Sequence, residues 1–273
     1  MTTIVIPCNR TEKLRAALAD SATMTRRNLT YWWRSPEELL GSLAFPLISV
    51  LLFGYVFGSA MTVPGGGDYL DYLLPGLFGM TMVFGLVITI SAVVTDRERG
   101  VTDRFMAMPI SSAAILVGRS LSDMTRASAD LVVLLGCGVL VGWRWQGSVL
   151  EAAAAVGLLL LLRFALVWVG IYIGLVLRSP DSSAMLYPLV LPFAMVANTF
   201  VAPALMPGWL GVVAEANPMS STVAATRELF GTSASTGQTW MADHPFLLAI
   251  CWPVLLLAIF VPLAVHRYRK SRH

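Results

Sequence analysis

Hydrophobic positions along this chain come in long unbroken blocks, neither the alternation of a strand nor the single apolar stripe of a water-facing helix. Charge-free runs cover 39–67, 72–95, 182–214 and 245–265, each at or beyond the ~20 apolar residues that a membrane-spanning helix needs. Two further blocks, 113–142 and 152–177, are long enough but interrupted by Arg119, Asp123, Arg126, Asp130 and Arg163. The pattern predicts an all-α integral membrane fold of six spans whose middle two are polar. Ahead of them, Leu14, Leu18, Leu29, Trp32 and Trp33 alternate with Arg15, Arg26, Arg27 and Arg34 over 11–34, the mark of an amphipathic helix in the inner headgroup layer.

Composition agrees: of 273 residues, 56% are hydrophobic and only 13% charged. The first apolar run begins only at Leu39, behind a charged N-terminal segment, so the first span is expected to act as its own insertion signal. With both ends inside, the cationic flanks (Arg10 to Arg34, Arg97 to Arg119, Arg178, and Arg267 to Arg272) all fall on the cytoplasmic side. Only Arg144 and Arg227 fall in outer loops, which is the positive-inside bias. Charges so dispersed do not make a nucleic-acid surface. The expected organisation is a cytoplasmic tail with interfacial helix over 1–38, a transmembrane domain over 39–266 and a basic tail over 267–273. The protein is expected in the plasma (inner) membrane.

Local signals refine this plan. "SPEE" at 35–38 reads as a helix start, with Ser35 as N-cap, Pro36 at the first helical position and Glu38 closing a capping box. "VPGGGD" at 63–68 follows no strand pattern and reads as a connector, not a phosphate cradle. Pro188 and Pro192 weaken the fifth span unless neighbours satisfy the freed carbonyls. Residues 203–244 are too long for a simple connection and too apolar for a disordered one, so they are expected to dip back toward the bilayer. Within them Met219, Val223, Arg227 and Phe230 share helical spacing, consistent with a short amphipathic helix on the outer surface.

Chemistry is sparse. Cys8, Cys137 and Cys251 form no paired spacing and are read as packing residues; His244, His266 and His273 are read as interfacial. There is no Gly-x-x-x-x-Gly-Lys-Ser/Thr, and the lysines are Lys13 and Lys270 alone, so no Walker-type ATP site exists on this chain. No His-Glu-x-x-His or Gly-x-Ser-x-Gly is present, which leaves no catalytic residues, metal ligands or cofactor site to nominate.

Two polar constellations remain. Between the second and third spans, Asp96, Arg97, Glu98, Arg99, Asp103 and Arg104 put six charges into nine positions. As a helix over 97–108, ended by Pro109, this segment carries Val101, Phe105 and Met108 on one face, which suits docking on a partner. A solvated loop that only enforces topology is the alternative. In the third span, Arg119, Asp123, Arg126 and Asp130 fall within about 60° of one another on a helix. Such a stripe must face protein or a wet cavity. Hairpin arithmetic puts Asp130 and Arg163 both ~18 Å below the outer turn, predicting an ion pair at mid-depth with either a structural, a gating or a proton-relay role.

The chain resembles the permease subunits of type-2 ABC exporters, in their daunorubicin-resistance-like drug and lipid exporter branch. The likeness rests on the segment before the first span, on "FPLISVLLFGYVFG" (45–58), "YLDYLLPGLFGMTMVFG" (69–85) and "DRERGVTDRFMAMPISSAAILVGRSLSD" (96–123), and on "ANPMSSTVAATRELF" (216–230). It implies two permease chains, identical or paralogous, with two separate nucleotide-binding subunits that bind ATP and magnesium. It also implies a coupling helix carrying Arg97, Glu98, Arg99, Asp103, Arg104, Phe105 and Met108, and an interfacial helix carrying Arg26, Arg27, Trp32 and Trp33. An amphipathic drug-like or lipid-like substrate would pass from the inner leaflet along Phe53, Phe57, Phe78, Phe84, Met185, Phe193 and Met195, residues that also suit packing or lipid contact. The rivals are a proton-coupled secondary transporter using Asp123, Asp130 and Arg163, and a passive lipid-organising scaffold.

Overall fold

The computed structural model describes residues 44, 47–56, 68–100, 112–177, 179, 182, 184–232 and 239–270. The expected capping box at Ser35, the interfacial-helix residues Arg26, Arg27, Trp32 and Trp33, the coupling residues Asp103, Arg104, Phe105 and Met108, Phe57 and the side chain of Phe53 lie outside the described residues.

Every regular element described is helical. A π-helical stretch, Val50–Val56, belongs to the first apolar block. It is followed by α1 (Tyr69–Glu98), α2 (Ser112–Leu140), α3 (Val149–Val176), α4 (Tyr187–Val196), a 3-10 turn (Pro203–Leu205), α5 (Gly208–Ala216), α6 (Pro218–Leu229), α7 (Trp240–Asp243) and α8 (Pro245–Lys270). Three of them, α1, α3 and α8, are long and apolar enough to cross a membrane. At 1.5 Å per residue each exceeds the ~30 Å hydrocarbon core.

Caps explain where the helices begin and end. Asp68 starts α1 by accepting from the Leu70 N–H at 3.1 Å. At its far end Gly100 adopts φ +64 and donates to the Arg97 carbonyl. The chain therefore leaves the helix at Arg99–Gly100, so Arg97 and Glu98 are the last turn of α1 and not the first turn of a separate helix over 97–108. Ser148 and Glu151 make a reciprocal capping box for α3, with Glu151 Oε2 accepting from the Ser148 N–H and Ser148 Oγ from the Glu151 N–H. Asn217 caps α6 with Pro218 at its first position.

The hub is α3, packed along α1 and α8 and touching α2 and α6. A larger core gathers Leu73, Leu77, Phe78, Leu134, Trp143, Leu159, Val223 and Phe230. There Trp143 meets Phe78 and Phe230 edge-on, with centroids 5.6 and 5.0 Å apart. A smaller core holds Leu116, Val167, Ile171, Leu175, Ala264 and Tyr268. Around the bundle, Leu121 and Val132 of α2, Leu189 and Phe193 of α4 and Ile250, Val254 and Leu255 of α8 point outward. An outward apolar face is what a hydrocarbon solvent selects.

Two expectations change. The charge-free run 182–214 is not one span: α4 has only 10 residues, about 15 Å of rise, and the chain then turns non-helically from Ala197 to Ala202. The helix bearing Met219, Val223, Arg227 and Phe230 does not lie on the outer surface, because all four side chains are buried and α6 packs against α1, α3 and α8. Hydropathy reads side chains, whereas both departures come from backbone hydrogen bonding, traced next.

Candidate functional site

A non-helical turn buried against a helical bundle must have its backbone groups satisfied by protein. Four carbonyls of the broken segment find side-chain donors. Asn217 Nδ2 donates to the Phe193 carbonyl at 2.9 Å, and Tyr69 Oη to that of Phe200 at 3.1 Å. The Asn198 carbonyl accepts from Tyr72 Oη at 3.0 Å and from Arg227 Nη2 at 2.7 Å. Arg227 Nη2 also reaches the Thr199 carbonyl at 3.3 Å, while Nε donates to the Tyr72 carbonyl at 2.9 Å. The guanidinium lies 3.6 Å from the centroid of the Tyr72 ring, a cation–π contact in a desolvated place. Arg227 is 0% exposed. It is the donor cluster that makes the break affordable, and it joins α1, the turn and α6.

The approach is permitted by Gly76. A Cβ there would lie 2.8 Å from Thr199 Cα and 2.9 Å from the Thr199 carbonyl oxygen, both backbone atoms that cannot swing aside. Gly76→Val is therefore expected to destabilise by about 1–3 kcal/mol through overpacking, read as a lowered midpoint of thermal unfolding in detergent. An unchanged midpoint would show that the turn and α1 are free to separate.

The second polar region lies between α1, α2 and α3. Arg119 Nη1 pairs with Asp96 Oδ2 at 2.6 Å, and its Nε lies 3.6 Å from Asp123 Oδ1. Asp123 Oδ2 accepts from Thr89 Oγ1 at 2.8 Å, and Thr89 Oγ1 accepts from Arg163 Nη2 at 2.9 Å. The result is a ladder of Asp96, Arg119, Asp123, Thr89 and Arg163 from the C-terminal end of α1 to the middle of α3. Arg163 is 3% exposed. Its flat face rests on Gly85, where a Cβ would meet Cζ at 2.6 Å.

This geometry routes Arg163 to a carboxylate through Thr89, a residue the charge pattern did not single out. Asp130, the next acid of the stripe, is buried two turns further along α2. The stripe of α2 turns toward α1 and α3, since its partners Asp96 and Thr89 belong to α1. At the C-terminal end of α3, Arg97 Nη1 donates to the Leu175 and Leu177 carbonyls, at 3.5 and 3.3 Å. A cation on the exposed carbonyls of the α3 C-terminus is favoured by the helix dipole.

Of the residues expected along a substrate path, Phe78 sits in the larger core, Phe84 is partly buried against it, and Met185, Phe193 and Met195 are exposed around α4. Sequence reasoning missed Tyr69, Tyr72, Thr89 and Asn198 as functional groups. Their only signal was polarity inside or beside a charge-free run.

Comparison with known proteins agrees with this architecture. Residues 21–230 match the family model for the ABC-2 type transporter. The daunorubicin resistance ABC transporter permease protein DrrB1 of Streptomyces coeruleorubidus is 33% identical over 265 residues, covering 92% of this chain and 89% of that protein. The probable doxorubicin resistance ABC transporter permease protein DrrC of Mycobacterium tuberculosis is 22% identical over 273 residues, covering 95% and 92%. The probable multidrug ABC transporter permease YbhR of Escherichia coli is 25% identical over 191 residues, covering 66% and 49%. With three helices able to cross the bilayer and a family match over residues 21–230, the chain belongs to the ABC-2 type transporter family, in its daunorubicin-resistance-like permease branch.

Proposed function

We propose that the protein is the transmembrane subunit of an exporter that moves an amphipathic drug-like or lipid-like molecule outward, driven by ATP hydrolysis in a separate nucleotide-binding subunit. The observation that carries this reading is full-length similarity to a drug-resistance permease in a chain with no ATP site of its own. In the complete assembly two permease chains meet two ATP-binding subunits, with ATP and magnesium on the latter. Six crossings, with both termini in the cytoplasm of a plasma-membrane protein, put the 96–112 segment where those subunits act. The fifth crossing is the discontinuous one.

The ladder gives the coupling a mechanical route. Force applied beyond Gly100 reaches α1 through Arg99 and Glu98, α3 through the Arg97 cap on Leu175 and Leu177, and α2 through the Asp96–Arg119 pair. Short charged contacts between helices resist shear, so the three helices move as one body. The alternative in which Asp123, Asp130 and Arg163 relay protons draws on the same polar seam, but needs no partner.

Replacing Arg97, Glu98 and Arg99 together with alanine is expected to leave the partner's basal ATPase intact and to abolish drug- or lipid-stimulated transport in vesicles. Transport at the unaltered rate in that variant overturns the docking role. Transport that persists without ATP but collapses with the proton gradient establishes the relay instead.

A further inference from the structure

We propose that the C-terminal turns of α8 seat one anionic phospholipid, with its phosphate on His266, Arg267 and Lys270 and its acyl chains along Ile259 and Leu263. At 3.6 residues per turn these five positions fall within about 100° of one another on the helix. All five are exposed, Ile259 at 44% and Leu263 at 40%. Ala264 and Tyr268 turn the other way, 0% and 4% exposed, into the smaller core with Trp168, Ile171 and Leu175. That packing fixes the rotation of the last turns, so the cationic face is set before any ligand arrives.

The cations on this face are uncommitted. Among the described residues, His266, Arg267, Arg269 and Lys270 make no ion pair or side-chain hydrogen bond, and α8 contains no Asp or Glu that could neutralise them. Arg97 and Arg119 differ, since they are spent on the Leu175 and Leu177 carbonyls and on Asp96. Arg267 and Lys270, three residues apart, repel each other. A phosphate between them removes that cost and accepts charge-assisted hydrogen bonds from both.

Charge alone would suit any acid, and the apolar half of the face makes the choice. Ile259 and Lys270 are separated by about 17 Å of helix axis, so hydrocarbon and cation follow one another along a single line. A phospholipid matches both parts, whereas an acidic protein surface would meet only the charged turn. A choline headgroup brings its own cation to that turn, so a net-negative headgroup is preferred. Under the orientation proposed above the occupant comes from the cytoplasmic leaflet, but its binding requires neither that orientation nor transport.

Titrating phosphatidylglycerol or phosphatidylcholine of identical acyl chains into the full-length chain in detergent micelles, and counting adducts by native mass spectrometry, supplies the test. Wild type is expected to retain one phosphatidylglycerol in preference to phosphatidylcholine. Arg267→Gln, Arg269→Gln and Lys270→Gln together should weaken that adduct at least ~5-fold, the scale of one cation lost beside anionic lipid. Arg267→Lys with Arg269→Lys keeps the charge and should bind as wild type, as should Arg144→Gln, an exposed cation of the α2–α3 turn. Glycerol phosphate, a headgroup without chains, should not compete at equal concentration, and full displacement by it would overturn the lipid assignment. No preference for phosphatidylglycerol in wild type, or a loss in the triple variant no larger than in Arg144→Gln, overturns the site. Should that preference be absent while the triple variant fails to assemble with the ATP-binding subunit, the turn docks protein and the proposal is overturned in favour of that partner.

Discussion

Arg227→Ala is expected to loosen the part of the bundle around the 197–202 turn, lowering stability by about 3–5 kcal/mol through buried carbonyls left short of donors and the cavity where the side chain packed. The substitution strips donors from the Tyr72, Asn198 and Thr199 carbonyls at once. Asn198 retains Tyr72 Oη, and the Tyr72 carbonyl keeps its place in the α1 ladder, so Thr199 loses most. Individual hydrogen bonds between membrane helices average about 0.6 kcal/mol, so three of them alone do not reach the expected figure. The remainder comes from carbonyls of non-helical backbone, which cannot re-pair within a helix as those of an ordinary membrane segment do. Arg227→Lys separates the contributions, because it keeps the charge over the Tyr72 ring but cannot fork to two carbonyls. Denaturant titration in mixed micelles should rank wild type above Lys and Lys above Ala. Equal stability of Lys and wild type would assign the joint to charge alone, and an alanine variant as stable as wild type would mean that the break is held by other contacts.

That joint also shows how far the sequence could be read. Long apolar blocks located α1, α3 and α8, since a membrane-crossing helix must hide its own backbone and shed charge. The charge spacing of α2 disclosed a stripe, and the structure turns it toward neighbouring helices. The break after α4 stayed hidden because "VANTFVAPAL" is as charge-free as its surroundings. Asn198, Pro203 and Pro207 were its only marks. Met219, Val223, Arg227 and Phe230 were placed on one helical face by spacing, but an arginine on that face suggested the outer surface. Only the unsatisfied carbonyls of a segment about 28 residues earlier explain why an arginine is the right residue to bury. In the same way, hairpin arithmetic brought Arg163 to mid-depth, but the hydroxyl of Thr89 lies on a third helix that the arithmetic did not include.

Asp123→Ala and Arg163→Met are expected to be strongly non-additive. Removing Asp123 alone takes the Thr89-linked carboxylate from a guanidinium that is almost wholly buried and whose Nε and Nη1 have no hydrogen-bond partner. It also frees Arg119 of one of its two acids. The single variant should lose about 3 kcal/mol, the scale for uncompensating a buried charge. Arg163→Met should cost much less, because an apolar side chain of similar length fills the space beside Gly85 without needing a counter-charge. In the double variant the uncompensated cation is gone, so a coupling of about 1–3 kcal/mol is expected from the cycle. Unfolding free energies that add within about 0.5 kcal/mol would show that Thr89 transmits nothing between them. Asp123→Asn completes the argument for function. It keeps the shape and an acceptor for Thr89 but cannot exchange a proton at neutral pH, so ATP-driven efflux should survive in the coupled assembly. Loss of transport in that isostere, with folding unimpaired, would turn the ladder from a strut into a proton path.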